Sequence, residues 1–260
     1  PKHGGANIKV IQMFQDMKSG GSIILNGDDP LLSALGPVKG AVPLFYGTSP
    51  EHCQVYASDL KPLGLEGTSC TIHLPSGSFD CIVPTPGTHM VSNALAGAAV
   101  GYKLGLTLAE IKAGIENLPF IPGRNHIIRT EKLIILDDCY NANPVSMKAS
   151  IDVLNMAIGR KVAILGDMGE LGADTKALHR SVGEYAAEQG IDLVCAIGEL
   201  SGEMTDGVRS AHSHTEALWF PTKADFLSHA QNVIKNGDNI LIKASHGMEF
   251  PELVDALRKF

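Results

Sequence analysis

From Leu133 to the end of the chain, short apolar runs alternate with segments of helical periodicity, and that alternation leaves few folds open. Runs near residues 133–137, 162–166, 192–197, 216–220 and 239–244 are interleaved with helical patterns near 144–157, 174–189, 202–210, 223–235 and 249–259. A run such as Leu133-Ile134-Ile135-Leu136 suits a strand buried on both faces, and an intervening helix carries the chain back to the same end of the next strand. The pattern predicts an α/β unit with a parallel sheet covered by helices on both faces.

The first half reads differently. Residues 6–18 have helical spacing ended by Gly20-Gly21, and residues 22–25 read as a buried strand running into Asn26-Gly27-Asp28-Asp29-Pro30. Short alternating runs at 54–57, 68–74 and 79–83, broken at Pro75-Ser76-Gly77-Ser78, predict an antiparallel hairpin. Helices follow near 89–104 and 108–118, and the stiff, non-periodic Pro119-Phe120-Ile121-Pro122-Gly123-Arg124 marks a boundary. At 260 residues two domains are expected, here 1–122 and 123–260.

Composition narrows the class. A hydrophobic content of 44% supports a core, and a net charge of −7 without any Lys/Arg-rich run argues against nucleic acid or an anionic membrane surface. No stretch approaches the ~18 apolar residues of a membrane span. The five cysteines are scattered, odd in number and without a C-x-x-C pair, which fits a reducing cytoplasmic setting rather than zinc or a disulfide framework. Cys139 has no nameable partner for thiolate chemistry and reads as a small packing residue.

Three of the predicted strands end in polar turns. Asp137-Asp138-Cys139-Tyr140-Asn141-Ala142-Asn143-Pro144 gathers two carboxylates, a phenol and amides where a strand gives way to a helix capped by Asn143. Ligands of open α/β sheets bind at such ends, although a polar turn that only caps its helix has the same composition. Gly166-Asp167-Met168-Gly169-Glu170-Leu171-Gly172 is acidic, so it suits an amine or hydroxyl donor better than a phosphate, or else caps the next helix. His179 follows on that helix and could point back toward the turn, although a lone helical histidine is more often structural. Lys243-Ala244-Ser245-His246 closes the last strand. An ammonium there needs an anion, from a substrate or from Asp137, Asp138 or Asp167. Neither a dinucleotide fingerprint nor a G-x-x-x-x-G-K-[ST] loop occurs.

These residues resemble the Mur ligase family. The likeness rests on residues 138–147 (D-x-Y-N-A-N-P-x-S-M), 166–172 (G-D-M-x-E-L-G) with His179 beyond, and 243–248 (K-A-S-H-G-M). Weaker matches are Leu25 to Pro30, the His89…Asn93-Ala94-Leu95-Ala96 helix and Pro122-Gly123-Arg124; all keep the family's order and cover nearly the whole chain. The resemblance implies that 1–122 is the rear part of a central ATPase domain and that 123–260 is a Rossmann-like C-terminal domain with a mostly parallel sheet. The N-terminal UDP-sugar domain, the phosphate loop and the magnesium-binding Glu and His would precede Pro1. On that expectation the chain alone folds without catalysing.

The activity implied is ATP-dependent amide formation through an acyl phosphate, in bacterial peptidoglycan precursor synthesis. The Tyr-Asn-Ala-Asn-Pro form points to the member that adds D-alanyl-D-alanine to UDP-MurNAc-tripeptide, a cytoplasmic enzyme expected to be a monomer. Carried over residue by residue, Arg124 resembles the hinge arginine that reaches ATP phosphates, Asp138 the acid near the ribose, and Lys243 a third catalytic group. Asn26, Asp28, His89, Asn93, Tyr140, Asn141 and Asn143 would serve the nucleotide, with Asn93 at the adenine. Asp167, Glu170, His179, Ser245 and His246 would face the peptide substrates. The family's carbamylated, magnesium-holding lysine falls at Val10, so the adjacent Lys9 is its candidate. Two other readings stay open: a Mur or polyglutamate-type ligase with a different amino acid, and a non-catalytic α/β module that binds a nucleotide or a partner protein.

Overall fold

The computed structural model describes residues 14, 16–18 and 20–260. The expected first helix therefore lies largely, and Lys9 entirely, outside the described residues. The chain divides after Leu118 into two compact units, Pro1–Leu118 and Pro119–Phe260.

In the first unit, β1 (Ile24–Asn26), β2 (Leu44–Gly47), β3 (Val55–Pro62), β4 (Thr68–Leu74) and β5 (Gly77–Val83) form one sheet in chain order. The β1–β2 and β2–β3 pairings are parallel, while β3–β4 and β4–β5 are antiparallel. The hairpin expected from Pro75-Ser76-Gly77 is the β4–β5 pair, in register from Thr68↔Val83 to Leu74↔Gly77. Strict alternation on β4 buries Thr68, Cys70, Ile72 and Leu74, as a half-covered strand requires. Helix α1 (Thr88–Lys103) lays Val91, Leu95, Ala98 and Ala99 on that face, and α2 (Leu108–Glu116) adds Ile111 and Ile115. Helix α2 starts at a capping box in which Thr107 and Glu110 satisfy each other's backbone N–H groups. Strand β2 was not anticipated, because four residues are too few to show a period.

The second unit opens with a strand that was not anticipated, β6 (His126–Arg129), and then alternates as expected: β7 (Ile134–Asp137), α3 (Pro144–Asn155), β8 (Lys161–Gly166), α4 (Thr175–Glu188), β9 (Leu193–Ile197), α5 (Gly202–Ser210), β10 (Glu216–Phe220), α6 (Lys223–Val233), β11 (Asn239–Lys243) and α7 (Pro251–Leu257). The strand order is β10-β9-β8-β11-β7-β6. All pairings are parallel except β6–β7. The last strand in sequence thus fills the slot between β7 and β8, and its five residues are all buried.

Two consequences position the site. The carboxyl ends of β7, β11 and β8 stand side by side, so the three polar turns meet on one rim. Strand β6 runs antiparallel, pairing His126 with Asp137, so the residues just before it, 123–125, also reach that rim. A parallel β6 would have carried them to the opposite end. No helix among the described residues is long and apolar enough to cross a membrane.

Helices α4 and α5 pack through glycines. A Cβ on Gly183 would fall 1.9 Å from the Met204 carbonyl oxygen, and one on Gly207 would fall 2.1 Å from that of Arg180. Both obstacles are backbone, so a methyl group forces the helices apart. Gly183→Ala or Gly207→Ala is expected to cost about 3 kcal/mol in a denaturant titration. Gly114→Ala, on α2 with nothing within 4 Å of its added Cβ, should instead gain about 0.5–1 kcal/mol from helix propensity.

Candidate functional site at the carboxyl rim of the second sheet

The turn after β7 is built on a buried ion pair. Lys243, 3% exposed, ends β11 beside it. Its Nζ donates to Asp138 Oδ2 at 2.6 Å, to the Asn141 carbonyl at 3.0 Å and to the Asp138 carbonyl at 3.3 Å. Asp138 also accepts from Ser150 Oγ at 2.6 Å and from the Asn125 backbone N–H at 3.0 Å. Of the anions the sequence offered to Lys243, Asp138 is the one that meets it. A buried pair of this kind adds little net stability, but losing one partner strands a charge and costs ~3–5 kcal/mol.

Asp137 holds the other side of the turn. Its Oδ2 accepts from Gly123 N–H at 2.9 Å and its Oδ1 from the Cys139 thiol at 2.9 Å. Tyr140 N–H returns a bond to the Gly123 carbonyl at 2.9 Å. Gly123 has φ +75°, and an added Cβ would meet Tyr140 N at 3.2 Å, so glycine fits both the conformation and the approach. Burial pushes the Cys139 thiol well above its ordinary range, and its bond to Asp137 adds to the shift. Cys139 is a packing and hydrogen-bonding residue, not a thiolate.

What the turn presents outward is aromatic. The Arg124 guanidinium carbon lies 3.9 Å from the centroid of the Tyr140 ring, a cation–π contact. The His246 ring is 5.5 Å from Tyr140, tilted by 46°. Tyr140 itself is 48% exposed. Asn143 Oδ1 accepts from Ser146 N–H at 2.9 Å, capping α3, and Asn141 Oδ1 accepts from Ala142 N–H at 2.8 Å.

The acidic turn after β8 divides its side chains between two directions. Asp167 turns away from the turn's exposed wall, accepting from Ser201 N–H at 2.7 Å and Ser201 Oγ at 2.5 Å at the start of α5. His179 is 0% exposed. Its Nδ1 lies 2.7 Å from the Thr175 carbonyl, and its Nε2 is 2.9 Å from the Met168 N–H. A carbonyl only accepts and an N–H only donates, so the network assigns the neutral Nδ1–H tautomer. The structural alternative for His179 therefore has full geometric support. Ser245 ties the β8 and β11 turns together: its Oγ accepts from Gly169 N–H at 2.7 Å and its N–H donates to the Asp167 carbonyl at 3.1 Å.

The three turns enclose a cleft of about 650 Å³ lined by residues 140–143, 169–171 and 245–247. Tyr140, Asn141, Asn143, Glu170, Ser245 and His246 meet there. Asp138 and Lys243 lie beneath it as its frame, and Asp167 and His179 are committed elsewhere. Sequence reasoning missed Ser150, Ser201 and the Gly123 and Asn125 backbone groups. Ser150 left a signal, as a polar residue within the buried stripe Met147, Ser150, Ile151 and Leu154 of α3.

In the first unit, Asn26 and Asp28 share the turn after β1. Asn26 Oδ1 accepts from Asp28 N–H at 2.9 Å, and the Asp28 carboxylate accepts from Thr48 N–H at 2.9 Å and Thr48 Oγ1 at 3.0 Å. His89 and Asn93 are exposed on the first turns of α1. Asn93 also lines a mostly apolar slot of about 240 Å³ between α1 and α2, among Met90, Ala94, Ile111 and Ile115. Among the described residues no three His, Cys, Asp or Glu side chains converge as metal ligands.

The geometry matches a known class. The Mur ligase middle-domain model matches residues 7–101, and the model of the Mur ligase glutamate ligase domain matches residues 123–246; the chain belongs to the Mur ligase family. Within the family it is similar to the UDP-N-acetylmuramoyl-tripeptide–D-alanyl-D-alanine ligase of Escherichia coli K12, 40% identical over 194 residues, 74% of this chain and 42% of that protein. The Bacillus subtilis ligase of the same name is 31% identical over 259 residues, 98% of this chain and 55% of that protein. A crystal structure of MurF from Acinetobacter baumannii superposes with a TM-score of 0.87 at 28% identity, covering 98% of this chain and 56% of that one. A MurF from Thermotoga maritima in complex with ADP, at 22% identity and a TM-score of 0.77, shares the fold. The chain spans about half the length of the curated relatives it matches.

Two outcomes check this description of the rim. His179→Ala removes a fully buried ring and leaves the Met168 N–H unpaired, so the melting free energy should fall by ~3 kcal/mol. All five cysteines are buried, so native protein at pH 8 should resist iodoacetamide while the urea-unfolded chain takes up five equivalents. Cys139, with its thiol shifted upward, should be among the last to react as urea rises.

Proposed function

We propose that this chain is the nucleotide- and acceptor-handling part of a ligase that joins D-alanyl-D-alanine to UDP-MurNAc-tripeptide at the expense of ATP. The observation that carries the reading is the meeting of the Asp138–Met147, Gly166–Gly172 and Lys243–Met248 turns around one cleft. The similarity to ligases of that name supports it.

A carboxylate does not acylate an amine directly, because oxide is too poor a leaving group. Transfer of the γ-phosphoryl group of ATP to the tripeptide carboxylate gives an acyl phosphate and ADP. The dipeptide amine attacks the acyl carbon and loses a proton, and phosphate departs as the amide forms. Such a reaction depends on positioning and charge stabilisation.

The residues of this chain suit those tasks. Arg124, held over the Tyr140 ring, offers a charged fork for phosphate oxygens. Asp138 accepts three hydrogen bonds within the protein, out of roughly four that a carboxylate can take, which leaves one for a ribose hydroxyl. The apolar slot between α1 and α2 offers an adenine apolar walls and the Asn93 amide at its lining. Tyr140, Asn141 and Asn143 form the nucleotide side of the cleft, and Glu170, Ser245 and His246 its peptide side. Magnesium, which the family uses with ATP, finds no converging ligand set among the described residues. The nucleotide substrates and the buried free thiols both suit the cytoplasm.

The full-length gene product should release phosphate from ATP only when UDP-MurNAc-tripeptide and D-alanyl-D-alanine are both present. Release that needs a single amino acid instead would move the chain to another Mur or polyglutamate-type ligase. No release with any amine would leave a nucleotide- or partner-binding module. Arg124→Ala should lower kcat/KM for ATP by at least about tenfold, the loss of one charge-assisted contact.

A further inference from the structure

Glu170 occupies a backbone conformation that glutamate adopts at a cost. Its φ is +59°, in the left-handed region where a Cβ crowds the following carbonyl. Glycine would sit there without strain, and the turn already carries Gly169 and Gly172. Lys39, Asp59, Asn125, His212 and Glu249 share this region; what sets Glu170 apart is that it lines the cleft between the three turns.

The surroundings indicate what it can do there. The turn is held from below at two points, by Gly169 N–H on Ser245 Oγ and by Met168 N–H on His179 Nε2. Glu170 is therefore an exposed carboxylate on a fixed support. It is the sole carboxylate among the residues lining the cleft, whose other walls carry Tyr140, Asn141, Asn143 and His246. An ionised carboxylate accepts and never donates. It repels a phosphate and attracts a cationic donor, and the donors on the facing walls suit the opposite end of a ligand that is anionic there.

We infer that Glu170 binds the α-ammonium group of a zwitterionic dipeptide acceptor, and so selects for a free amino terminus in the cleft. The inference rests on the ligase reading and adds to it which end of the acceptor the acidic turn holds. A carboxylate at this point holds the nitrogen that attacks the acyl carbon once the ammonium has lost one proton to solvent, and it forms no ion pair with acceptors whose amine is already acylated.

The test is a titration of the 260-residue chain followed by ¹H–¹⁵N NMR, with D-alanyl-D-alanine and with N-acetyl-D-alanyl-D-alanine. The free dipeptide should shift the resonances of Gly169, Glu170 and His246, and the acetylated one should bind about tenfold more weakly, the loss of one charge-assisted pair. Glu170→Gln should weaken the free dipeptide about tenfold and leave the acetylated one unchanged. Glu170→Gly should lose the same affinity while melting no lower than the parent, because glycine relieves the left-handed strain; a merely structural Glu170 would not separate the two effects. Equal binding of both dipeptides, or full affinity in either variant, overturns the assignment of Glu170 and leaves the ligase reading standing. A cleft that responds to neither dipeptide overturns the inference outright, while phosphate release by the full-length protein decides separately on the ligase.

Discussion

The rim of the second unit depends on one ammonium taken out of water. Lys243 ends a strand whose five residues are all buried, and it can remain charged there only if an anion and carbonyl oxygens replace its hydration shell. Asp138 and the Asn141 carbonyl provide them. The pair therefore does more than contribute a modest Coulomb energy. It binds the last strand in sequence to the turn after β7, through the Asp138 carboxylate and the Asn141 carbonyl. Ser150 and the Asn125 N–H take further lone pairs of the same carboxylate, so α3 and the turn before β6 are referenced to the same point.

A second set of contacts does the same for the acidic turn. His179 Nε2 accepts from Met168 N–H and its Nδ1–H donates to the Thr175 carbonyl, while Ser245 Oγ accepts from Gly169 N–H. Helix α4, the β8 turn and the β11 turn are thereby joined without any charge being buried. The side chains left facing the cleft stand on backbone that is already bonded. That is the arrangement a ligand site requires if its groups are to be preorganised rather than ordered by the ligand.

Much of the architecture was legible in the chain. Parallel strands buried on both faces read as continuous apolar runs, and β7, β8, β9 and β11 lie within a residue or two of where those runs stand, as does the edge strand β10 with Glu216, Leu218 and Trp219 exposed. Strands β2 and β6 were not legible. Each is only four residues long, and β6, as an edge strand, has one neighbour and shows no alternation. The site was legible as three polar strand ends, but not in its division of labour. Asp167 and Glu170 lie in one short turn and are equal in sequence, yet one caps α5 through Ser201 and the other faces the cleft. Ser201, which decides this, lies 34 residues beyond Asp167.

The parallel sheet, the polar turns at its strand ends and the family could be read from the chain alone, because they follow from local periodicity and from motifs in order along it. Which turns meet depends instead on long-range strand pairing. The insertion of β11 between β7 and β8 is a choice among strand orders that local pattern leaves equal. It was settled by where a buried ammonium finds its carboxylate and where a strand buried along its whole length finds cover on both faces.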